Sequence, residues 1–174
     1  CTASLVINRL YTPRSEDIVL VHTAAAGVGS LLCQWSRYLG ATVIGTAGSA
    51  RKAQIGKENG CDYTILYRET DFVEEVLKIA PDGVAAVFDG VGKETFERSL
   101  SVLAKFGKII NYGNASGAVP PLDVQSLALR SLSVARAGVT GHIEATEAFR
   151  TVAQESFDPV AIGILSPRVE RIFA

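Results

Sequence analysis

The feature that most constrains this chain is an alternation: short β-branched runs are separated by stretches whose apolar residues recur every three or four positions. Strands and helices in that order join as βαβ units, and right-handed crossovers between them build a parallel sheet with helices on both faces. Five strands read clearly, Ile18 to His22, Thr42 to Thr46, Tyr63 to Leu66, Ala85 to Asp89 and Lys108 to Tyr112, with a weaker sixth at Ser131 to Arg136. The expected fold class is α/β, doubly wound, with six parallel strands in the order 3-2-1-4-5-6.

Helical stripes fill the gaps. Leu31, Leu32, Trp35 and Leu39 share one face of a helix that Gly40 ends. Thr70 or Asp71 caps a helix bearing Phe72, Val73, Val76, Leu77 and Ile79, with Pro81 just beyond it. Phe96, Leu100 and Leu103 mark another, closed by Gly107, and a last one runs from about Ile143 to Gln154. Cys1 to Leu10 reads as the body of a helix, Val169 to Ala174 stops in an apolar strand-like run, and no methionine occurs. These ends lead us to expect a segment of a longer protein, with residues 1–174 forming one domain. Within it, 1–16 would be a lead-in helix and linker, and 165–174 the start of a return to a further domain.

A chain of 174 residues with 48% hydrophobic and 20% charged residues suits one globular core. Its net charge of −1 and scattered basic residues offer no cationic face, so nucleic acid is not expected as the primary partner. No apolar run approaches the ~20 residues that span a bilayer, so no membrane is expected and a cytoplasmic location is the default. Cys1, Cys33 and Cys61 are far apart, only His22 and His142 accompany them, and we expect free thiols and no metal site.

The chemistry lies where the first strand runs through His22, Thr23, Ala24, Ala25 and Ala26 into Gly27, Val28 and Gly29, after which a helix begins. Glycine there lets backbone N–H groups approach a pyrophosphate, with the helix dipole beneath it. Inside a βαβ unit, this is the phosphate turn of a Rossmann fold, although many such turns use glycine for geometry alone. The second strand ends at Thr46, where an NAD site presents an acid to the ribose. This chain has Thr46, Ala47, Gly48, Ser49, Ala50, Arg51 and Lys52 instead, and Ser49, Arg51 and Lys52 offer hydroxyl and cationic donors to a 2′-phosphate. NADPH is the expected cofactor.

The run VLVHTAAAGVGSLLCQWSRYLGATVIGTAGSARKAQ resembles the zinc-independent quinone oxidoreductases, the zeta-crystallin-like branch of the medium-chain dehydrogenase/reductase superfamily. The likeness continues through ILYRETDFVEEV, VFDGVGKETFERSL and YGNASGAVPP. It implies that Ala25, Gly27, Val28 and Gly29 line the pyrophosphate turn, that Gly48, Lys52 and Tyr67 hold the 2′-phosphate beside Thr46 and Ser49, and that Tyr112, Gly113 and Asn114 edge the nicotinamide. The family usually has two adjacent glycines where this chain has Ala26 and Gly27, a departure we expect the turn to tolerate. The resemblance further implies hydride transfer from NADPH to a quinone or enone. The substrate would sit in a cleft against a domain outside this chain, so the segment alone would be inactive. A homodimer through Ser131 to Arg136 is implied too. Alternatives are an enoyl reductase of α,β-unsaturated carbonyls or thioesters, including a polyketide synthase module, and a noncatalytic nucleotide-binding crystallin-like or RNA-associated protein.

Several residues invite roles that blander readings outweigh. Asp89 precedes Gly90 and Gly92 and reads as a turn cap rather than a catalytic acid. His22 and His142 read as structural, and Tyr67 alone would be packing. The loop Gly113 to Asp123, at the carboxyl end of the sheet, is expected to be functional.

Overall fold

The strands are β1 (Ile18–Val21), β2 (Thr42–Ala47), β3 (Tyr63–Leu66), β4 (Val84–Asp89), β5 (Leu103–Asn111) and β6 (Ser133–Arg136) in the computed structural model, which describes residues 1–142 and 145–169. Around them lie α1 (Thr2–Leu5), α2 (Gly27–Tyr38), α3 (Ala50–Glu58), α4 (Phe72–Ile79), α5 (Phe96–Ser101) and α6 (Thr146–Ala161). All pairings are parallel and the order is β3-β2-β1-β4-β5-β6, as the alternation predicted.

Side chains alternate across a strand, so the central strands feed two cores. Val19, Val21, Val43, Ala86, Phe88 and Ile110 face one side, where Leu5 of α1 and Leu32 and Trp35 of α2 cover them. Leu20, Ile44, Val87 and Ile109 face the other, under Phe72 and Val76 of α4 and Phe96 of α5. Each Val, Leu, Ile or Phe side chain taken wholly out of water contributes about 1.5–3 kcal/mol, and this two-sided burial explains why β1 and β4 read as continuous apolar runs. Asp71 caps α4 through its Oδ1, which accepts from the Val73 and Glu74 amides, and Gly40 follows α2 at φ +92. No helix among the described residues is long and apolar enough to cross a membrane.

The pattern misleads where a helix meets a buried strand. Leu103, grouped by spacing with Phe96 and Leu100, opens β5, which starts five residues before the expected Lys108 and ends at Asn111 rather than Tyr112. Val102 and Leu103 are drawn into the second core, and an i, i+3, i+4 spacing cannot separate a helix end from a buried strand start. The strand carries a register shift opposite Val84 to Ala86. Ser131, expected to open the sixth strand, is left-handed at φ +50 after a 3-10 turn, and β6 begins at Ser133. The lead-in is one α turn that widens into a π-helix, Val6–Leu10. The last helix runs to Ala161, seven residues past the expected Gln154. Ile143, Glu144 and the tail from 170 onward lie outside the described residues. Helix α3 was not legible, because only its Ala53 and Gly56 are buried.

Phe106 is 78% exposed and sits at φ +62. That conformation costs a residue with a Cβ about 1–2 kcal/mol, and this ring returns little packing. Phe106→Gly should therefore raise the unfolding free energy by about 1 kcal/mol, read as a higher urea midpoint at unchanged slope.

Candidate functional site

Beyond β1 the chain turns through His22 into Thr23, a β-branched residue held left-handed at φ +58. Such an outlier stores roughly 1–3 kcal/mol and persists only where its neighbours enforce it. Here the Thr23 amide donates to Thr46 Oγ1 at 3.2 Å, its hydroxyl donates to the His22 carbonyl at 2.6 Å, and its carbonyl accepts from the Ala26 amide at 2.8 Å. The N-terminus of α2 then rests on the same carbonyl: a Cβ at Gly29 would fall 2.3 Å from Thr23 O, so only glycine fits. A Cβ at Gly27 would meet nothing within 4 Å. Gly27 thus leaves open the face of a helix start that has no side-chain cap. Ala26 is exposed with φ −85 and ψ 163, an ordinary extended conformation, so the departure from paired glycines is accommodated.

At the end of β2, a Cβ at Gly48 would lie 2.7 Å from Tyr67 Oη, so glycine lets the tyrosine hydroxyl settle over the turn. Ser49 caps α3, its Oγ accepting from the Lys52 amide at 3.3 Å, which leaves its hydroxyl hydrogen to donate. Thr23, Ala25, Thr46, Gly48, Lys52 and Tyr67 line a cavity of about 120 Å³. A larger one of about 470 Å³ adjoins it, sharing Thr23, Thr46 and Tyr67 and extending past His22, Phe72, Val91, Glu94, Thr95, Arg98, Ala115 and Ser116. Together they form one cleft along the carboxyl ends of β1 to β4, where open α/β sheets take ligands.

Of the residues singled out by sequence, the structure gathers Ala25, Thr46, Gly48, Lys52 and Tyr67 in the smaller cavity, with Gly27, Val28, Gly29 and Ser49 at the adjacent helix starts. Tyr112, Gly113 and Asn114 follow β5 and line neither cavity. A Cβ at Gly113 would lie 2.5 Å from Gly90 O, and the Tyr112 ring covers Gly90. The Tyr112 hydroxyl is buried near the Thr23 side chain, and burial raises its pKa well above the usual tyrosine range. The larger cavity's Phe72, Glu94, Thr95 and Arg98 were missed. Arg98 lies 4.6 Å over the Phe72 ring and pairs with Asp71, which gives no sequence signal because the partners are 26 and 27 positions away. Ala115 and Ser116 do belong to the loop expected to be functional. That loop is pinned: the Ser116 amide donates to Val91 O and the Lys93 amide to Gly117 O.

Asp89 is the cap it was expected to be, fully buried, with Oδ1 accepting from the Val91 and Gly92 amides and the Thr95 hydroxyl and Oδ2 from Asn111. His22 is buried in the wall of the larger cavity, between Thr46 and Ser99 and edge-on to Phe72. Burial pushes its pKa down to about 4; the Asp89 charge opposes this and Arg98 adds to it. His142 is exposed in a 3-10 turn. No group of three His, Cys, Asp or Glu placed to hold a metal occurs among the described residues.

Comparison with known proteins agrees with this geometry. Residues 27–156 match the family described as zinc-binding dehydrogenase. The chain is 37% identical over 166 residues to quinone oxidoreductase 1 of Escherichia coli, covering 94% of this chain and 51% of that protein. It is 35% identical over 175 residues to 2-haloacrylate reductase of a Burkholderia species, covering 99% and 53%. The crystal structure of the E. coli quinone oxidoreductase complexed with NADPH superposes with a TM-score of 0.87 at 37% identity, over 97% of this chain and 52% of that one. The chain thus spans about half the length of the relatives it matches.

The depressed His22 pKa has a consequence for stability. An unfolded histidine takes a proton near pH 6.5, whereas folded His22 resists until about pH 4. The unfolded state therefore binds more protons across that window, and stability falls as pH drops from 6.5 to 4, by roughly 3 kcal/mol from this group. Urea titrations at pH 7, 5.5 and 4.5 should show this loss, and His22→Asn should flatten that part of the profile.

Proposed function

Because this chain belongs to the zinc-binding dehydrogenase family, we propose that residues 1–174 form one NADPH-binding domain of an oxidoreductase that passes hydride from NADPH to a quinone. The observation that carries this reading is the end of β2, where Gly48, Lys52 and Tyr67 share a cavity and Thr46 to Lys52 contains no carboxylate. An acid there would accept from ribose hydroxyls and repel a 2′-phosphate. A lysine ammonium and a tyrosine hydroxyl do the opposite.

The residues fit the cofactor. A Cβ at Gly48 would push the Tyr67 hydroxyl from its place, the first turn of α2 has no side-chain cap, and the adjoining cavity offers Phe72, Val91 and Ala115 as apolar walls. On this reading Ala25, Gly27, Val28 and Gly29 hold the pyrophosphate, and Thr46, Gly48, Ser49, Lys52 and Tyr67 surround the 2′-phosphate. Tyr112, Gly113 and Asn114 flank the nicotinamide. NADPH supplies the hydride when bound, and the chain's own residues bind it, orient it and limit water.

Two further elements belong to the proposal. The protein acts in the cytoplasm, where the buried free thiols Cys33 and Cys61 stay reduced. It pairs as a homodimer along the outer edge of β6, where Val134 and the neighbouring Leu129 and Val124 are exposed. A second reading keeps the cofactor site and makes the acceptor an activated alkene, and the likeness to a 2-haloacrylate reductase favours it.

Lys52→Ala should weaken NADPH binding by about tenfold or more, since a bond to a charged group contributes ~1.5–3 kcal/mol, and leave NADH nearly unchanged. Titration with both nucleotides reads this directly, and equal weakening of the two would overturn the phosphate role. The 174-residue chain should bind NADPH yet show no useful turnover with quinones or enones, whereas the full-length protein should turn over. The acceptor it prefers, quinone or haloacrylate, separates the two readings.

A further inference from the structure

Behind the phosphate turn, buried polar side chains from separate elements join in a single chain of hydrogen bonds. Ser99 of α5, His22 after β1 and Thr46 of β2 are 0%, 1% and 2% exposed. Their geometry settles where each hydrogen lies. Ser99 Oγ is 2.7 Å from the Thr95 carbonyl, which can only accept, so the serine hydrogen points there. His22 Nε2, at 2.9 Å from the same Oγ, must then carry a hydrogen and donate it. A ring buried this deeply is neutral at pH 7, as its lowered pKa requires, so Nδ1 is bare. The Thr46 hydroxyl, at 3.1 Å, donates to Nδ1 and keeps its lone pairs for the Thr23 amide at 3.2 Å.

We propose that His22 is a positioning residue of the nucleotide site: locked by Ser99 as its Nε2–H tautomer, it orients the Thr46 hydroxyl, and Thr46 holds Thr23 in the left-handed turn that starts α2. This rests on the NADPH reading above and deepens it. The Thr46 hydroxyl hydrogen is committed inward, so Thr46 serves the cleft by shaping it, without donating to a phosphate. A histidine that merely packed against Phe72 would have no reason to keep one tautomer.

Proton–nitrogen correlation spectra of the ¹⁵N-labelled chain report which ring nitrogen is protonated, with exposed His142 as the internal reference. The expected wild-type signature at pH 7 is Nε2–H alone for His22, and Ser99→Ala should release it into a mixture. His22→Leu should weaken NADPH and NADH about tenfold alike, because the turn serves the pyrophosphate that both share. That pattern differs from the NADPH-selective loss at Lys52. His22→Asn, whose amide oxygen can accept from Thr46, should recover at least half of the lost affinity on a logarithmic scale. If His22→Leu does not fold, Ser99→Ala decides, with about threefold weaker binding of both nucleotides expected. Nδ1–H in the wild type, or wild-type affinity in a folded His22→Leu or in Ser99→Ala, overturns the proposal. A wild-type chain that binds neither nucleotide overturns the cofactor reading itself, and the spectra then still show whether the hydrogen-bond chain is correct.

Discussion

The contact between the Thr23 carbonyl and the first turn of α2 is the constraint on which the site depends. Helix α2 approaches so closely that a Cβ at Gly29 would lie 2.3 Å from that oxygen. The carbonyl reaches that place only because Thr23 takes a backbone conformation that a β-branched residue avoids. The turn therefore stores strain, and two hydrogen bonds to one residue of β2 hold it: Thr46 Oγ1 accepts from the Thr23 amide and Thr46 O from the Ala24 amide at 3.0 Å. Strain of a few kcal/mol at a ligand-facing turn is affordable when the scaffold beneath is rigid. Here the scaffold is the doubly buried β1 and β2.

The polar groups behind the turn illustrate the same economy. An unpaired buried donor or acceptor costs about 1–3 kcal/mol, so a cluster of them is stable only when every member is matched. His22, Thr46, Ser99 and Thr95 form such a set, and Asp89 ties Thr95 to the β4 turn. The network thereby connects the ends of β1, β2 and β4 to α5, the elements that border the larger cavity. The cleft inherits its shape from these polar ties as much as from packing.

Much of this was legible in the sequence for a definite reason. Strand identity, the order of elements, the Asp71 and Asp89 caps and the glycine turn are local, and each follows from residues within a few positions of one another. The absence of an acid after β2 was equally local, and the proposed choice of nucleotide rests on it. Helix α3 and the start of β5 were not legible, because their apolar spacing is either too sparse or shared with the neighbouring element.

By itself, the sequence determined the parallel α/β fold, the glycine turn after β1 and the absence of a carboxylate at the end of β2, since periodicity, capping and residue chemistry are properties of short segments. Only the tertiary structure decided which glycine is indispensable. Gly27 and Gly29 look alike in sequence, but only Gly29 lies against a backbone oxygen. Tertiary structure also decided that Phe72 and Arg98 wall the larger cavity, and that a buried histidine is joined to Ser99, 77 positions away. Pairings of that kind arise when crossovers bring strand ends and helix starts to one edge of the sheet, and no local pattern encodes the distance between them.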